Sequence, residues 1–193
     1  VDPAVRRAIQ TMAQGKTVDK AIAISPMSIE RQRWLGDLSL EIGEVGRALE
    51  AYRATLKLAA DSLKENPRQH DTLVRTVRKA IESETDPKAC KELIDEGKKS
   101  IKAALRKYEN DESLQLNQSL LRALERFSQG KSEEAIAVID AALERYRDLI
   151  ASDPEVVIDI AETKFYTGDL PGAETMLRKL MKDNPDLKAA ALA

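Results

Sequence analysis

The sequence predicts an all-α fold of stacked antiparallel helical hairpins. Apolar residues recur at helical spacing along nearly the whole chain, and proline or glycine interrupts them at regular intervals. The chain also repeats one phrase, since AQGKTVDKAIAIS (13–25) closely resembles SQGKSEEAIAVID (128–140). We interpret the glycine of this phrase as the turn of a helical hairpin, because glycine readily adopts the left-handed backbone that follows a helix.

The predicted helices follow one another along the chain. They cover residues 4–14, 18–25, 28–42, 45–65, 69–83, 87–109, 112–129, 132–151, 155–167 and 171–183, with a last partial helix from 186. Helical spacing of apolar residues is clearest at Val5, Ile9 and Met12, at Leu49, Tyr52 and Leu56, and at Ile94, Ile101 and Leu105. Proline stops one helix or opens the next at Pro26, Pro67, Pro87, Pro154 and Pro185.

The stretch EVVIDI (155–160) has the composition of a β-strand. However, Asp153 and Pro154 directly before it form a helix start, in which the aspartate caps the helix and the proline occupies its first turn. We therefore expect a helix there as well, and no strand elsewhere.

Small and large side chains recur at set distances from Gly15, Gly43, Gly130 and Gly168. Seven residues before each glycine lies a tiny residue, respectively Ala8, Gly36, Ala123 and Ala161. Three residues before it lies a large apolar one, respectively Met12, Leu40, Phe127 and Phe165. An alanine follows in the second helix, at Ala21, Ala48, Ala135 and Ala173. Tiny residues let two helices approach closely, and large ones fill the space between hairpins.

Two stretches carry the clearest resemblance to a known family. AETKFYTGDLPGAETMLRKLMKDNP (161–185) has a turn glycine followed by an acid, a second-helix alanine and a closing proline, and WLGDLSLEIGEVGRALEAYRATLKLAADSLKENP (34–67) has Leu35-Gly36, Gly43, Ala48, Tyr52 and Pro67. In these features the sequence resembles the tetratricopeptide repeat (TPR) family. The resemblance implies a right-handed superhelix, an α-solenoid whose first helices line a concave binding groove.

We expect a single TPR-like domain over residues 1–193. Its clearest repeats are 29–67, 116–153 and 154–185, whereas 68–110 lacks a suitable turn glycine and is interpreted as an irregular helix pair. The second helices after Gly43 and Gly130 are predicted to exceed those of the family's repeat of about 34 residues by roughly two turns.

Few residues suit catalysis, and we expect a protein that is not an enzyme and holds no metal or cofactor. His70 is interpreted as a solvated residue at a helix start, and Cys90 as a packed small hydrophobe. The sequence has no glycine-rich phosphate loop, no paired Cys or His ligand spacing and no serine elbow.

The charge balance argues against nucleic acid as a partner, because the net charge is −2 and aromatic residues make up only 4%. Membrane insertion is not expected, because no apolar run approaches the roughly 20 residues that span a bilayer. The basic stretch Lys88–Lys107 is predicted to be an exposed charged face or a docking surface for an acidic partner. The chain begins at Val1, which we interpret as a truncated start; a cytoplasmic location is favoured, and a periplasmic one stays open.

The leading hypothesis is a protein-interaction scaffold that binds a peptide or helix of a partner protein in the groove, as a module of a larger protein or complex. The candidate contact residues are Arg33, Asp37, Glu41, Leu124, Ser128, Ile158, Glu162 and Tyr166. Leu40, Phe127 and Phe165 are assigned to the core between repeats. Trp34 is assigned to packing, with an anchor at a protein interface as the alternative. The set is acidic and apolar, unlike the Lys, Arg and Asn with which family members clamp a peptide's terminal carboxylate.

Two alternatives remain open at the level of sequence. The chain could be a regulatory or ligand-sensing TPR domain of a multi-domain bacterial enzyme, such as a kinase or protease. It could also form a homodimer through exposed repeat ends, because the final LKAAALA (187–193) begins a helix with an apolar face.

Overall fold

The computed structural model describes residues 28–184, and every regular element in this range is an α-helix. The helices are α1 (Ile29–Glu41), α2 (Val45–Asp61), α3 (Pro67–Ser83), α4 (Pro87–Leu105), α5 (Glu112–Ser128), α6 (Ser132–Arg145), α7 (Arg147–Ser152), α8 (Pro154–Tyr166) and α9 (Leu170–Asp183). The helices predicted at 4–14, at 18–25 and from 186, the repeat around Gly15 and the apolar end at 187–193 lie outside the described residues.

The chain divides into two compact units, Val1–Ala80 and Ile81–Ala193, with the division falling inside α3. In the first unit, α1 and α2 pack as a hairpin. In the second, α5 packs with α6 and α8 with α9, α4 packs on α5, and α8 also contacts α5, α6 and α7. The single domain over 1–193 stays a prediction.

Aspartate caps explain where several helices begin. The side chains of Asp86, Asp111 and Asp153 accept hydrogen bonds from backbone N–H groups in the first turns of α4, α5 and α8. Pro87 and Pro154 follow two of these caps as first helical residues, where a missing N–H costs no hydrogen bond. The stretch 155–160 is therefore helical, as predicted.

Three turns share one backbone geometry. Gly43, Gly130 and Gly168 have φ angles of 80°, 76° and 94°. The N–H of Gly168 donates to the carbonyl of Phe165 at 3.1 Å, and the N–H of Asp169 donates to that of Lys164 at 2.9 Å; the same pair of bonds recurs at the other two glycines. This is the Schellman motif, which satisfies the last carbonyls of a helix. The prediction that these glycines form hairpin turns is confirmed.

The end of α2 differs from the prediction, because the helix stops at Asp61 rather than at residue 65. Leu63 adopts a φ of 56°, and the N–H of Lys64 donates to the carbonyl of Ala59 at 2.8 Å. A leucine thus closes the same motif that glycine closes elsewhere, at the cost of a strained left-handed backbone.

The helix predicted over 132–151 is divided in two at Tyr146, which has φ −108° and ψ 31°. The Tyr146 ring is buried, and the Arg145 guanidinium lies 5.2 Å from its centre. Neither proline nor glycine lies at this break. We therefore attribute the interruption of the helix to the tertiary packing of the Tyr146 ring. Helix α4 also ends earlier than predicted, at Leu105 rather than 109.

The tiny residues before the turns lie in the packed interior, as predicted. Ala123 and Ala161 are buried, together with the second-helix alanines Ala48, Ala135 and Ala173. Gly36 faces the ring of Tyr52, and a Cβ atom on Gly36 would lie 2.5 Å from Tyr52 Cε1. Real Cβ contacts essentially never come so close. The two helices can therefore pack at this distance only because Gly36 has no side chain.

Two large residues lie on the surface against expectation. Trp34 is 69% exposed, because it is two positions, or about 200°, around the helix from the buried Gly36. Phe165 is 66% exposed, because the neighbouring Tyr166 makes the ring contact with Phe127, with centroids 5.2 Å apart. Phe127 itself packs against the core, as predicted.

Candidate functional site

The candidate site is a cleft of about 290 Å³ within the first unit, which we call the first-unit cleft. Helix α1 supplies one wall, α2 the floor and the start of α3 the other wall. Its lining residues are Ile29, Glu30, Arg33, Asp37, Tyr52, Thr55, Asn66, Arg68, Gln69 and Thr72. Of the predicted contact residues, Arg33 and Asp37 both line this cleft, one turn apart on α1. Their role in binding stays a prediction.

A reciprocal cap fixes the α3 wall of the cleft. The backbone N–H of Asn66 donates to Gln69 Oε1 at 3.0 Å, and the backbone N–H of Gln69 donates to Asn66 Oδ1 at 3.2 Å. This is a capping box, and Pro67 follows as the first residue of the helix. Hydrogen bonds between neighbouring residues thus fix the backbone of the segment that contains Arg68.

The floor of the cleft joins α1 to α2 through one short hydrogen bond. The Tyr52 hydroxyl donates to Asp37 Oδ1 at 2.6 Å. Burial and this bond to a carboxylate raise the pKa of Tyr52 far above its usual range, although Arg33 and Arg75 partly oppose the shift. Tyr52 therefore stays a neutral donor and keeps the Asp37 carboxylate oriented.

Two arginines belong to the lining of the same cleft. Arg33 on α1 and Arg68 on α3 are both exposed and line the cleft. Guanidinium groups bind carboxylates in a planar, two-pronged geometry, so each of these two groups could bind a carboxylate of a ligand. Glu30 and Asp37 line the same cleft and balance their charge. Sequence reasoning expected an acidic and apolar groove; at this place it missed Tyr52, Asn66, Arg68 and Gln69. The phrase NPRQ (66–69) contains the capping signal that could have placed three of them.

The other predicted contact residues lie elsewhere. Glu41 is exposed at the end of α1, outside the cleft lining. Leu124 on α5 is fully buried, which corrects its assignment to a binding surface, because its side chain cannot meet a partner without opening the core. Ser128 is exposed at the end of α5 and donates to the carbonyl of Glu125 at 2.8 Å.

Three predicted residues share one face of α8. Ile158, Glu162 and Tyr166 follow at intervals of four, and all are half-buried. The Tyr166 hydroxyl donates to the carbonyl of Ile81 at 3.3 Å while its ring packs on Phe127. Tyr166 thus has a packing role within the second unit, and it is half-buried.

The residues considered for chemistry are both buried. His70 was expected in solvent, but it is 3% exposed and its Nε2 lies 2.5 Å from Glu65 Oε1. Cys90 is a packed small residue as predicted, and burial raises the pKa of its thiol. Among residues 28–184, no group of three or more His, Cys, Asp or Glu side chains could hold a metal ion.

An ion cluster around the buried Lys164 stabilises the turn between α8 and α9. Lys164 Nζ lies 2.8 Å from Asp140 Oδ1 and 2.6 Å from Asp169 Oδ2, and its side chain is 5% exposed. Burial alone would lower the pKa of Lys164, but the hydrogen bonds to both carboxylates outweigh it and raise that pKa. The bond from Lys164 in turn lowers the pKa of Asp169, which also caps α9 through the N–H of Gly172.

No protein-family model matches the chain, and no curated protein matches it in sequence. Among solved structures, a crystal structure of a thermophilic TPR protein from Thermus thermophilus is similar over 96% of this chain and 93% of that chain, with a TM-score of 0.57 and 23% identity. The chain has a TPR-like helical-repeat fold. The TPR-like fold confirms the predicted all-α architecture of antiparallel hairpins.

No helix described in this TPR-like chain is both long and apolar enough to cross a membrane.

Proposed function

We propose that the chain is a protein-interaction scaffold, and that it binds a peptide segment of a partner protein in the first-unit cleft. The observation that carries this proposal is the pairing of Arg33 and Arg68 across a cleft whose floor is the Tyr52–Asp37 hydrogen bond. The TPR-like fold supports it, because stacked helical hairpins expose surfaces between their helices that suit extended ligands.

The chemistry of the cleft selects the kind of peptide. A carboxylate of the ligand pairs with the two guanidinium groups, while the oriented Asp37 carboxylate accepts from a backbone N–H. The volume of about 290 Å³ lies at the lower end for ligand pockets, which favours a few peptide side chains over a whole small molecule.

An exposed tryptophan lies on α1 outside the cleft lining. Trp34 follows Arg33 on α1 and is 69% exposed. Tryptophan is enriched among the residues that dominate binding energies at protein interfaces. We assign Trp34 to the rim of the proposed interface, where it would cover an apolar side chain of the partner.

Ile158 and Glu162 on α8 are proposed as a further contact surface of the second unit.

We also infer that the chain acts by binding and not by catalysis. His70 is buried against Glu65, and Cys90 is a buried thiol with a raised pKa, so neither suits proton transfer or nucleophilic attack at the surface.

A peptide library displayed on phage and selected on the full 193-residue chain tests the proposal. Selected peptides are then titrated, by fluorescence anisotropy, against Arg33→Glu and Arg68→Glu. We expect an acidic consensus and a loss of affinity of about tenfold for each variant, since each reversal removes one charge-assisted bond and adds repulsion. Lys57→Glu changes the charge equally on α2 outside the cleft lining and is the matched control.

Two results would contradict the proposal. One is an equal loss of affinity in Lys57→Glu, which would mean that total charge and not the cleft binds the peptide. The other is the absence of any selected peptide whose binding depends on Arg33 or Arg68.

A further inference from the structure

We infer that the second unit contains a separate binding site for a short acidic peptide segment, in a cleft between α4 and α5 that is closed at one end by Arg145 and Tyr146. The cleft has a volume of about 840 Å³, and we call it the second-unit cleft. Its lining residues belong to the second unit alone, so this inference does not depend on the first-unit cleft.

The charges in this cleft are mainly positive. Lys98, Lys102, Arg122 and Arg145 line it, against the two carboxylates Glu109 and Glu125. Lys98 and Glu125 neutralise each other across the helices at 2.7 Å. Within residues 28–184 neither Lys102 nor Arg122 has an ion-pair partner, and both are exposed. Two cations are therefore available to a ligand.

The register of the helices places these two cations opposite each other. Helices α4 and α5 are consecutive and run in opposite directions, with Lys98 opposite Glu125. Lys102 lies one turn further along α4, which corresponds to one turn back along α5, near Arg122. An acidic side chain between them would meet a positive charge on both sides.

The other end of the cleft contains a hydrogen-bonded cluster and is also basic. Gln115 donates from Nε2 to the carbonyl of Glu109 at 2.6 Å, and its Oε1 lies 3.4 Å from both Arg145 and the Tyr146 hydroxyl. From Gln115 to Arg122 the helix rises about 10 Å, and from Gln115 to Glu125 about 15 Å. An extended segment of four or five residues spans the longer distance.

The floor and the side chains favour a peptide over a nucleic acid. Ile101 and Leu121 form an apolar floor that can receive one apolar side chain, and Gln118 offers an exposed amide for a peptide backbone. Among the described residues that line the cleft, Tyr146 has the only aromatic ring, and it is buried and covered by Arg145. Bases therefore find no open ring on which to stack.

The test uses the full chain and the blocked, fluorescein-labelled peptide GEELEEG, with GQQLQQG as an uncharged comparison. We expect saturable binding of GEELEEG by fluorescence anisotropy and at least about tenfold weaker binding in the double variant Lys102→Glu/Arg122→Glu. The matched control is Lys91→Glu/Lys99→Glu, which makes the same charge change on exposed residues of α4 outside the cleft lining. Its affinity should stay within about twofold of the wild type.

A second variant tests the shape of the cleft without changing its charge. Gln118→Trp places a large ring in the cleft and should weaken binding of GEELEEG to a similar extent. It also decides the matter if the double charge reversal proves unfolded by circular dichroism, because Gln118 is exposed and its replacement leaves the core intact.

Several outcomes would overturn the inference. They are no saturable binding of GEELEEG, equal binding of GQQLQQG, an equal loss in the α4 control, or unchanged binding in Gln118→Trp. Tighter, cleft-dependent binding of a labelled oligothymidylate would assign the cleft to nucleic acid instead. A loss that follows Arg33→Glu and Arg68→Glu, and not the α4–α5 variants, would locate the acidic peptide in the first-unit cleft and leave the proposed function standing.

Discussion

The α1–α2 hairpin of the first unit and the α8–α9 hairpin of the second have the same turn but different side chains around it. Both close through a left-handed glycine and the same two backbone hydrogen bonds. After Gly43 comes Glu44, whose side chain makes no cap bond and is exposed. After Gly168 comes Asp169, which caps α9 and binds the buried Lys164.

The close helix contact also differs between the two hairpins. In α1–α2 the tiny residue is Gly36, and the ring of Tyr52 occupies the space that a side chain would need. In α8–α9 it is the buried Ala161, and stability comes in addition from the ion cluster at the turn. The backbone motif is thus common to both hairpins, whereas the close contact is aromatic packing in one, and in the other an ion cluster around the buried Lys164 adds to it.

The largest expected effect is on the charge cluster. Asp169→Ala removes a helix cap and one of two partners of a buried ammonium, so we expect a loss of about 3 kcal/mol in the free energy of unfolding. Glu44→Ala, at the equivalent place in α1–α2, should change it by less than about 0.5 kcal/mol. Urea unfolding followed by circular dichroism measures both, and equal effects would remove the distinction between the hairpins.

The same cluster predicts a pH dependence. The folded pKa of Asp169 is lowered, so its contribution to stability is present above its unfolded pKa and lost as the pH falls through the folded pKa. The folded pKa of Lys164 is raised, so its contribution is present below its unfolded pKa and lost as the pH rises through the folded value. Asp169→Ala should flatten the acid side of the stability profile, whereas an unchanged profile would show that the pair is not linked to folding.

Overpacking the tiny positions should cost somewhat less. Ala123→Leu and Ala161→Leu insert a branched side chain where the alanine is at most 1% exposed, which should destabilise the fold by about 1–3 kcal/mol. Leucine at the exposed Ala137 of α6 is the matched control and should be nearly neutral. Unchanged melting temperatures at both buried sites would show that these alanines do not lie at helix contacts.

The smallest change should be a gain in stability. Leu63 closes a turn with a left-handed backbone while its side chain is 95% exposed. Leu63→Gly relieves that strain and should stabilise the first unit by about 1 kcal/mol, less the entropy that glycine adds to the unfolded chain. A lower melting temperature of this variant would indicate that the Leu63 side chain makes a contact that its exposure hides.

Sequence reasoning succeeded where local chemistry determines the outcome. Glycine before a second amphipathic run predicted the turns at Gly43, Gly130 and Gly168, and aspartate before proline predicted the starts of α4 and α8. These features depend on hydrogen bonds within a few residues, so a single sequence contains them. The tiny residues were also found, because each recurs at the same distance from a turn.

Sequence reasoning failed where the outcome depends on distant packing. Leu63 and Tyr146 end helices without any breaker. Trp34 lies on the surface because it is on the side of α1 away from the buried Gly36, and Phe165 does so because Tyr166 makes the ring contact with Phe127. The first-unit cleft joins Arg33 to Arg68 and Tyr52 across different helices, which periodicity cannot reveal. Single glycines and prolines are therefore better guides to the elements than to the site.

The central claim is that tiny residues occur where a side chain of the partner helix needs their space, and Gly36 with Tyr52 tests it most directly. A double-mutant cycle measures the effect of Gly36→Ala on the free energy of unfolding in the wild type and in the Tyr52→Leu variant. Gly46→Ala is the control, because a Cβ at Gly46 would meet no neighbouring atom within 4 Å. Gly36→Ala should cost about 1–3 kcal/mol in the wild type and become neutral or stabilising with leucine at 52, while Gly46→Ala gains up to about 1 kcal/mol in both. An equal cost of Gly36→Ala in both backgrounds would contradict the account.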